Sequence, residues 1–125
     1  MNKTNKKILF VIILIFLAII FGAFYFYKST TITNAGLDNF AMCLASKNIT
    51  MYGAEWCSHC QNEKKAFGSS FKYIPYVECP NDPQKCLEKG IAGYPTWIFP
   101  DGRKLIGEQG LEKLSQESGC PLSGK

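Results

Sequence analysis

The chain has 125 residues, 46% of them hydrophobic, and a formal charge of +4. That length bounds it to one small domain plus an accessory segment. Three or four lysines flank an apolar run and account for the charge, so the remainder is near neutral, and no basic stripe interleaved with aromatics points to nucleic acid.

Lys3, Lys6 and Lys7 precede an uncharged run from Ile8 to Tyr27, rich in Ile, Leu, Phe and Val. About 20 helical residues rise about 30 Å, enough to cross the hydrocarbon core of a bilayer. Phe24, Tyr25, Phe26 and Tyr27 suit an aromatic belt at the far interface. A cleaved signal peptide is the alternative, but it requires a shorter apolar region followed promptly by small residues. Bulky aromatics and then Lys28 follow here, which favours an uncleaved anchor. The lysines ahead of the run place the N-terminus in the cytoplasm, with Lys28 a weak opposing charge. The expected organisation is a cytoplasmic segment at 1–7, a transmembrane anchor at 8–27, a polar tether at 28–36 and a folded domain at 37–125. That domain would lie on the extracytoplasmic side of a cell membrane, as part of a single-pass protein.

Leu37, Phe40, Ala41 and Leu44 form one face of a short helix. Ile49 to Tyr52 is a brief strand. Gly53-Ala54-Glu55 leads into a helix running to about Ser69, with Gln61, Asn62, Lys64 and Lys65 on its exposed face and Phe67 and Phe71 inward. Tyr73 to Glu78 alternates as a strand, and Pro75 places it at a sheet edge. Asn81-Asp82-Pro83 starts a helix that ends at Gly90. Thr96 to Phe99 and Lys104 to Ile106 are strands joined by a Pro100-Asp101-Gly102 turn. Leu111 to Ser118 is the last helix, closing at Gly119. Trp97, Phe99, Tyr76 and Phe71 read as core. The order predicts an α/β domain with a mixed sheet and helices on both faces.

Six cysteines, all beyond residue 36, are an even and dense count. Outside the cytosol that composition reads as disulfides. Cys57 and Cys60 of Trp56-Cys57-Ser58-His59-Cys60 are spaced for the first turn of a helix. Unpaired N–H groups and the helix dipole there favour a thiolate. Cys57 is therefore the expected nucleophile, with a lowered pKa, and Cys60 the partner that closes or resolves a disulfide. His59 would stabilise the Cys57 thiolate further. That stabilises the reduced form and tilts the pair towards oxidising its substrates. Two plainer readings stand beside this one: half of a zinc site, completed by Cys79 and Cys86 despite their wide spacing, and a purely structural disulfide.

The segment Tyr52-Gly53-Ala54-Glu55-Trp56-Cys57-Ser58-His59-Cys60, with Gly93-Tyr94-Pro95-Thr96, resembles the thioredoxin superfamily. Adding Met51, Gln61, Tyr76-Val77-Glu78-Cys79 and Trp97, the chain is most similar to the thioredoxin-like domain associated with bacterial homologues of vitamin K epoxide reductase. The resemblance covers about Phe40 to Ser118. It implies a thioredoxin-like fold with a sheet of about four strands, from which this chain departs in lacking the first thioredoxin strand, since only one short helix precedes Ile49. It implies a cis-proline at Pro95 facing Cys57–Cys60, with Tyr94 pairing its backbone to substrate and Trp56 on the rim. The implied role is thiol–disulfide exchange with cysteines of exported proteins, passing electrons to a quinone-linked membrane partner of the vitamin K epoxide reductase type. The redox-active disulfide itself would carry the electrons, with no further cofactor and no metal. Where thioredoxin has a buried acid serving its second cysteine, this chain has Met51, so Glu55 or water would have to serve Cys60.

The resemblance also implies a disulfide between Cys79 and Cys86, structural or relaying electrons to Cys57–Cys60. Parity then pairs Cys43 with Cys120, although the family's first and last helices lie on opposite faces, so the tail would have to wrap around. The competing functions are a disulfide reductase or isomerase for cytochrome or metal-site assembly, and a non-catalytic thiol metal binder.

Overall fold

The computed structural model describes residues 2–122, apart from the side chains of 27–34. Tyr27 and Lys28 therefore lie outside the described side chains, and 123–125 of the folded domain lie outside the description. The chain divides into two compact units, Met1–Thr33 and Asn34–Lys125.

In the first unit, Lys3–Phe26 is a helix long and apolar enough to cross a membrane, with a mean hydropathy of 3.1. None of its apolar window is buried by the chain. A helix apolar on every side needs a hydrocarbon or protein environment to cover it. The helical element containing it, α1, is Lys3–Ser46. The helix expected at 37–46 is thus its last part, and 28–36, expected as a tether, carries helical backbone with no proline to interrupt it.

The second unit follows the predicted order. Strand β1 is Thr50–Gly53, helix α2 is Ser58–Phe67, strand β2 is Tyr76–Glu78 and helix α3 is Pro83–Glu88. Strands β3, Thr96–Ile98, and β4, Lys104–Ile106, precede helix α4, Leu111–Ser118. The sheet order is β2-β1-β3-β4. β1 runs parallel to β2, with Met51 opposite Tyr76, and antiparallel to β3, with Met51 opposite Trp97. β3 and β4 form the antiparallel hairpin. Its turn depends on Gly102, whose φ of 84° lies in the left-handed region that glycine adopts without a Cβ clash.

One expected strand is shorter. Gly68–Tyr73 is a 3₁₀ helix, so the strand begins only after Pro75. Proline cannot donate to a ladder, but its carbonyl accepts from Met51 N–H at 2.9 Å, which starts the pairing at the sheet edge. The α3 boundaries follow local chemistry. Asp82 caps the Lys85 N–H, and Pro83 occupies the first turn, where no N–H is missed.

The strand period of two separates the faces. Met51 and Trp97 point into a large cluster with Phe40, Leu44, Phe67 and Leu114, while Tyr52 packs with Cys79 and Cys86 on the other side. Phe40 and Phe67 stack with ring centroids 5.8 Å apart. The last part of α1 therefore shares a face with α2 and α4, and only α3 covers the opposite one. This differs from the opposite-face arrangement implied by the resemblance. It gives the Cys43–Cys120 disulfide a short path, with Cα atoms 5.8 Å apart.

Candidate active site

β1 delivers the chain to the motif. Gly53 ends the strand, and a Cβ built on it would stand 3.0 Å from Cys60 Sγ and 3.3 Å from the Tyr76 hydroxyl. A side chain there would press on the site, so glycine favours the close approach of strand to sulfur. Ala54 to Trp56 turn the chain, and the Cys57 N–H closes on the Ala54 carbonyl at 3.1 Å. Cys57 is then the N-cap of α2, with extended backbone and with Sγ accepting the Cys60 N–H at 3.3 Å. A capping sulfur meets an N–H that has no partner within the helix, and the helix dipole favours negative charge there.

The two sulfurs have different surroundings. Cys57 keeps 8% of its surface exposed beside Trp56, which is 73% exposed; Cys60 is fully buried. Both carry free thiols, whereas Cys43 is bonded to Cys120 and Cys79 to Cys86. Burial, then the hydrogen bond and charge of Cys57, push the Cys60 thiol up to about 12, against opposing pulls from the Ala54 backbone hydrogen bond and, more weakly, Lys64. Cys60 is held as a thiol at neutral pH. Cys79 and Cys86, the residues that would have completed a zinc site, are joined to each other.

The Tyr94–Pro95 peptide bond is cis. The Tyr94 ring meets Trp56 edge-on at 5.9 Å, which brings this loop to the rim of the motif. The Pro95 carbonyl is not open to a ligand strand, because it accepts the Gly107 N–H at 2.7 Å. His59 projects outward, 67% exposed, with Nδ1 2.9 Å from Glu108 Oε2. Asn62 donates to the same oxygen at 3.2 Å. These two bonds hold the Glu108 carboxyl below the ordinary carboxylate value. The histidine's partner in the structure is therefore a carboxylate on the loop before α4.

Several residues around the motif escaped sequence reasoning. Glu63 is buried, its two oxygens accepting the backbone N–H groups of Gln109 and Gly110 at 2.7 and 2.9 Å. It anchors the loop that carries Glu108. A signal for it existed: Cys60, Glu63 and Phe67 fall at helical spacing on one inward stripe. Lys64, expected on the exposed face, instead lays its Nζ 3.9 Å from the Tyr76 ring centroid. Tyr76, expected only as core, donates its hydroxyl hydrogen to Glu78. Burial and that bond push its pKa up. Glu78 also accepts the Glu55 N–H at 2.8 Å. Glu55 itself is exposed, while Met51 is buried in the sheet. Glu78 is thus a partly buried carboxylate two residues from Tyr76 on the same face of β2. Such period-two pairs are visible in a sequence, but the hydrogen bond between them is not.

No family model matches the chain. Over 88 residues it is 41% identical to the Arabidopsis thaliana protein named Thiol-disulfide oxidoreductase LTO1. The match covers 63% of this chain and 23% of that protein, so the chain spans less than a quarter of the relative's length.

Proposed function

We propose that the domain is a thiol–disulfide oxidoreductase held at a membrane by its apolar N-terminal helix, and that it oxidises cysteines of exported proteins on the extracytoplasmic side. The observation that carries the reading is the selective freedom of one pair. Of six cysteines, four are locked in disulfides, and the two free thiols sit at the N-terminus of a helix beside a cis-proline loop. The name of the Arabidopsis relative supports the same class of chemistry.

In the oxidising direction a substrate thiolate attacks Cys57 of the Cys57–Cys60 disulfide. The Cys57–Cys60 bond breaks, and Cys60 leaves with the electron pair and takes up a proton. A second substrate thiolate then attacks the mixed disulfide and displaces Cys57. The substrate loses two electrons and the pair gains them. Cys57 is the accessible sulfur, and Trp56 and Tyr94 offer apolar and aromatic surface to a bound peptide. A quinone-linked membrane oxidoreductase, of the vitamin K epoxide reductase type, would reoxidise the pair.

Two measurements test this. Cys60→Ala in membranes should accumulate mixed disulfides on Cys57 with exported proteins, read by diagonal electrophoresis and mass spectrometry. The reduction potential of the pair should fall at about −180 to −120 mV. A value near about −270 mV would instead mark a reductase. Stoichiometric zinc held by Cys57 and Cys60 in the reduced protein would overturn both.

A further inference from the structure

The chemistry of Cys60 poses a problem that its surroundings answer. Only a thiolate attacks a disulfide efficiently, yet Cys60 is fully buried and its thiol is pushed up to about 12. Whenever Cys60 attacks, a proton must leave a site sealed by β1, β2 and α2. Whenever Cys60 is the leaving group, a proton must return.

We propose that Tyr76 and Glu78 form the proton route of Cys60, with Lys64 holding the charge balance of the cluster; this rests on the oxidoreductase reading above. Gly53 opens the space in which the Cys60 sulfur and the Tyr76 hydroxyl both stand, each close enough to touch a single added carbon. The hydroxyl already donates to Glu78, so the hydrogen-bonded path points away from the sulfur towards a carboxylate. Glu78 is only partly buried and can exchange with water. The Glu55 N–H fixes its other oxygen and thereby ties the carboxylate to the loop that carries Trp56 and Cys57.

The charged and titratable groups facing the site from each element are few. Cys57 and Lys64 come from the start and middle of α2, and Tyr76 and Glu78 from β2; Gly53 of β1 and Ala54 after it contribute only backbone. The Lys64 ammonium over the Tyr76 ring draws the Cys60 thiol down, opposing the burial.

The step balances as follows. In resolution, Cys60 S–H passes its proton to the Tyr76 oxygen as the tyrosine proton moves to Glu78. The Cys60 sulfur attacks Cys57, the Cys57–Cys60 bond forms, and the mixed-disulfide bond breaks. The electron pair leaves on the departing thiolate, which is protonated from water, and Glu78 releases its proton to water. Oxidation of a substrate runs the same transfers in reverse. Glu78 acts through Tyr76 and is a positioning and proton-holding residue, whereas the Tyr76 hydroxyl shares with the reacting sulfur the space beside Gly53.

Oxidised glutathione tests the route with the full chain in detergent. Reaction with the reduced protein places glutathione on Cys57, and Cys60 then expels it; rapid acid quench and mass spectrometry follow both steps. At pH 7, Tyr76→Phe and Glu78→Gln should slow expulsion by about tenfold or more. Its rise with pH should move to higher pH, and in a Cys60→Ala background the first step should keep its rate. Glu78→Gln keeps the size of the side chain and one of the two acceptor oxygens, so it carries the test if Tyr76→Phe fails to fold. Wild-type rate and pH profile in these variants would overturn the proposal, and so would slowing with an unmoved pH profile, which marks a packing effect. If the wild type forms no glutathione adduct, the oxidoreductase reading falls and the route falls with it. An adduct that forms and resolves normally in the variants removes the route alone.

Discussion

Cys79 and Cys86 lie beneath Tyr52 on the α3 side of the sheet, both almost fully buried and already bonded. Cys57 and Cys60 lie at the opposite side, separated by two residues and unbonded, one at the rim and one sealed. Burial alone does not distinguish the two pairs. What differs is symmetry. Each pair lies within one apolar cluster, but the α2 pair has one sulfur capping a helix N-terminus beside exposed Trp56 and the other fully buried near Tyr76 and Lys64. On the proposed reading, the unequal surroundings fit unequal roles, attack and resolution, and the equal enclosure fits a cross-link.

The largest test of that contrast is functional. Cys57→Ser should reduce oxidation of a reduced substrate peptide to background, while the double variant Cys79→Ser/Cys86→Ser should keep the Cys57 reaction with oxidised glutathione, both followed by quenched mass spectrometry. Loss of that reaction in the second variant would make the α3-side pair a relay rather than a cross-link. The next effect is on stability. Cys43 and Cys120 close a separation of 77 residues and Cys79 and Cys86 one of 7. Loop-closure entropy makes removal of the first cost about 4 to 5 kcal/mol and of the second about 2 kcal/mol, measured by denaturant unfolding of the serine variants. Equal losses would show that the contrast lies in native packing instead. The smallest effect concerns pH. The Cys60 thiol ionises near 9 when free but near 12 in the fold, so the folded state holds a proton that the unfolded state has lost. Stability of the reduced protein should be fully present below pH 9 and fall between about 9 and 12, and Cys60→Ala should lack that component.

The fold was legible wherever the signals were local. Asp82-Pro83 starts α3 by capping, Pro100-Asp101-Gly102 turns the hairpin, and Pro75 marks an edge strand because proline lacks a donor. The place of Cys57 and Cys60 at the start of α2 was legible because i, i+3 spacing is itself a structural statement. Partners from distant segments were not. Glu108 reaches His59 across 49 positions, and Glu63 binds the N–H groups of Gln109 and Gly110. Lys64 read as a solvent-facing residue because its charge says so, yet its stem and ammonium lie across aromatic rings, as long cationic side chains readily do. The helix over 28–36 was missed because threonines and an asparagine are weak helix formers, and propensity is a weak prior.

The Cys43–Cys120 bond has a mechanical meaning as well. It joins the last part of α1, near the start of the folded unit, to the segment that follows α4. Tension applied between the two flanks would pass through that single covalent link and bypass the sheet, whose strands are only three or four residues long. Reduction of the link would redirect the load through those short ladders, making the pulling strength of the unit a function of its thiol state.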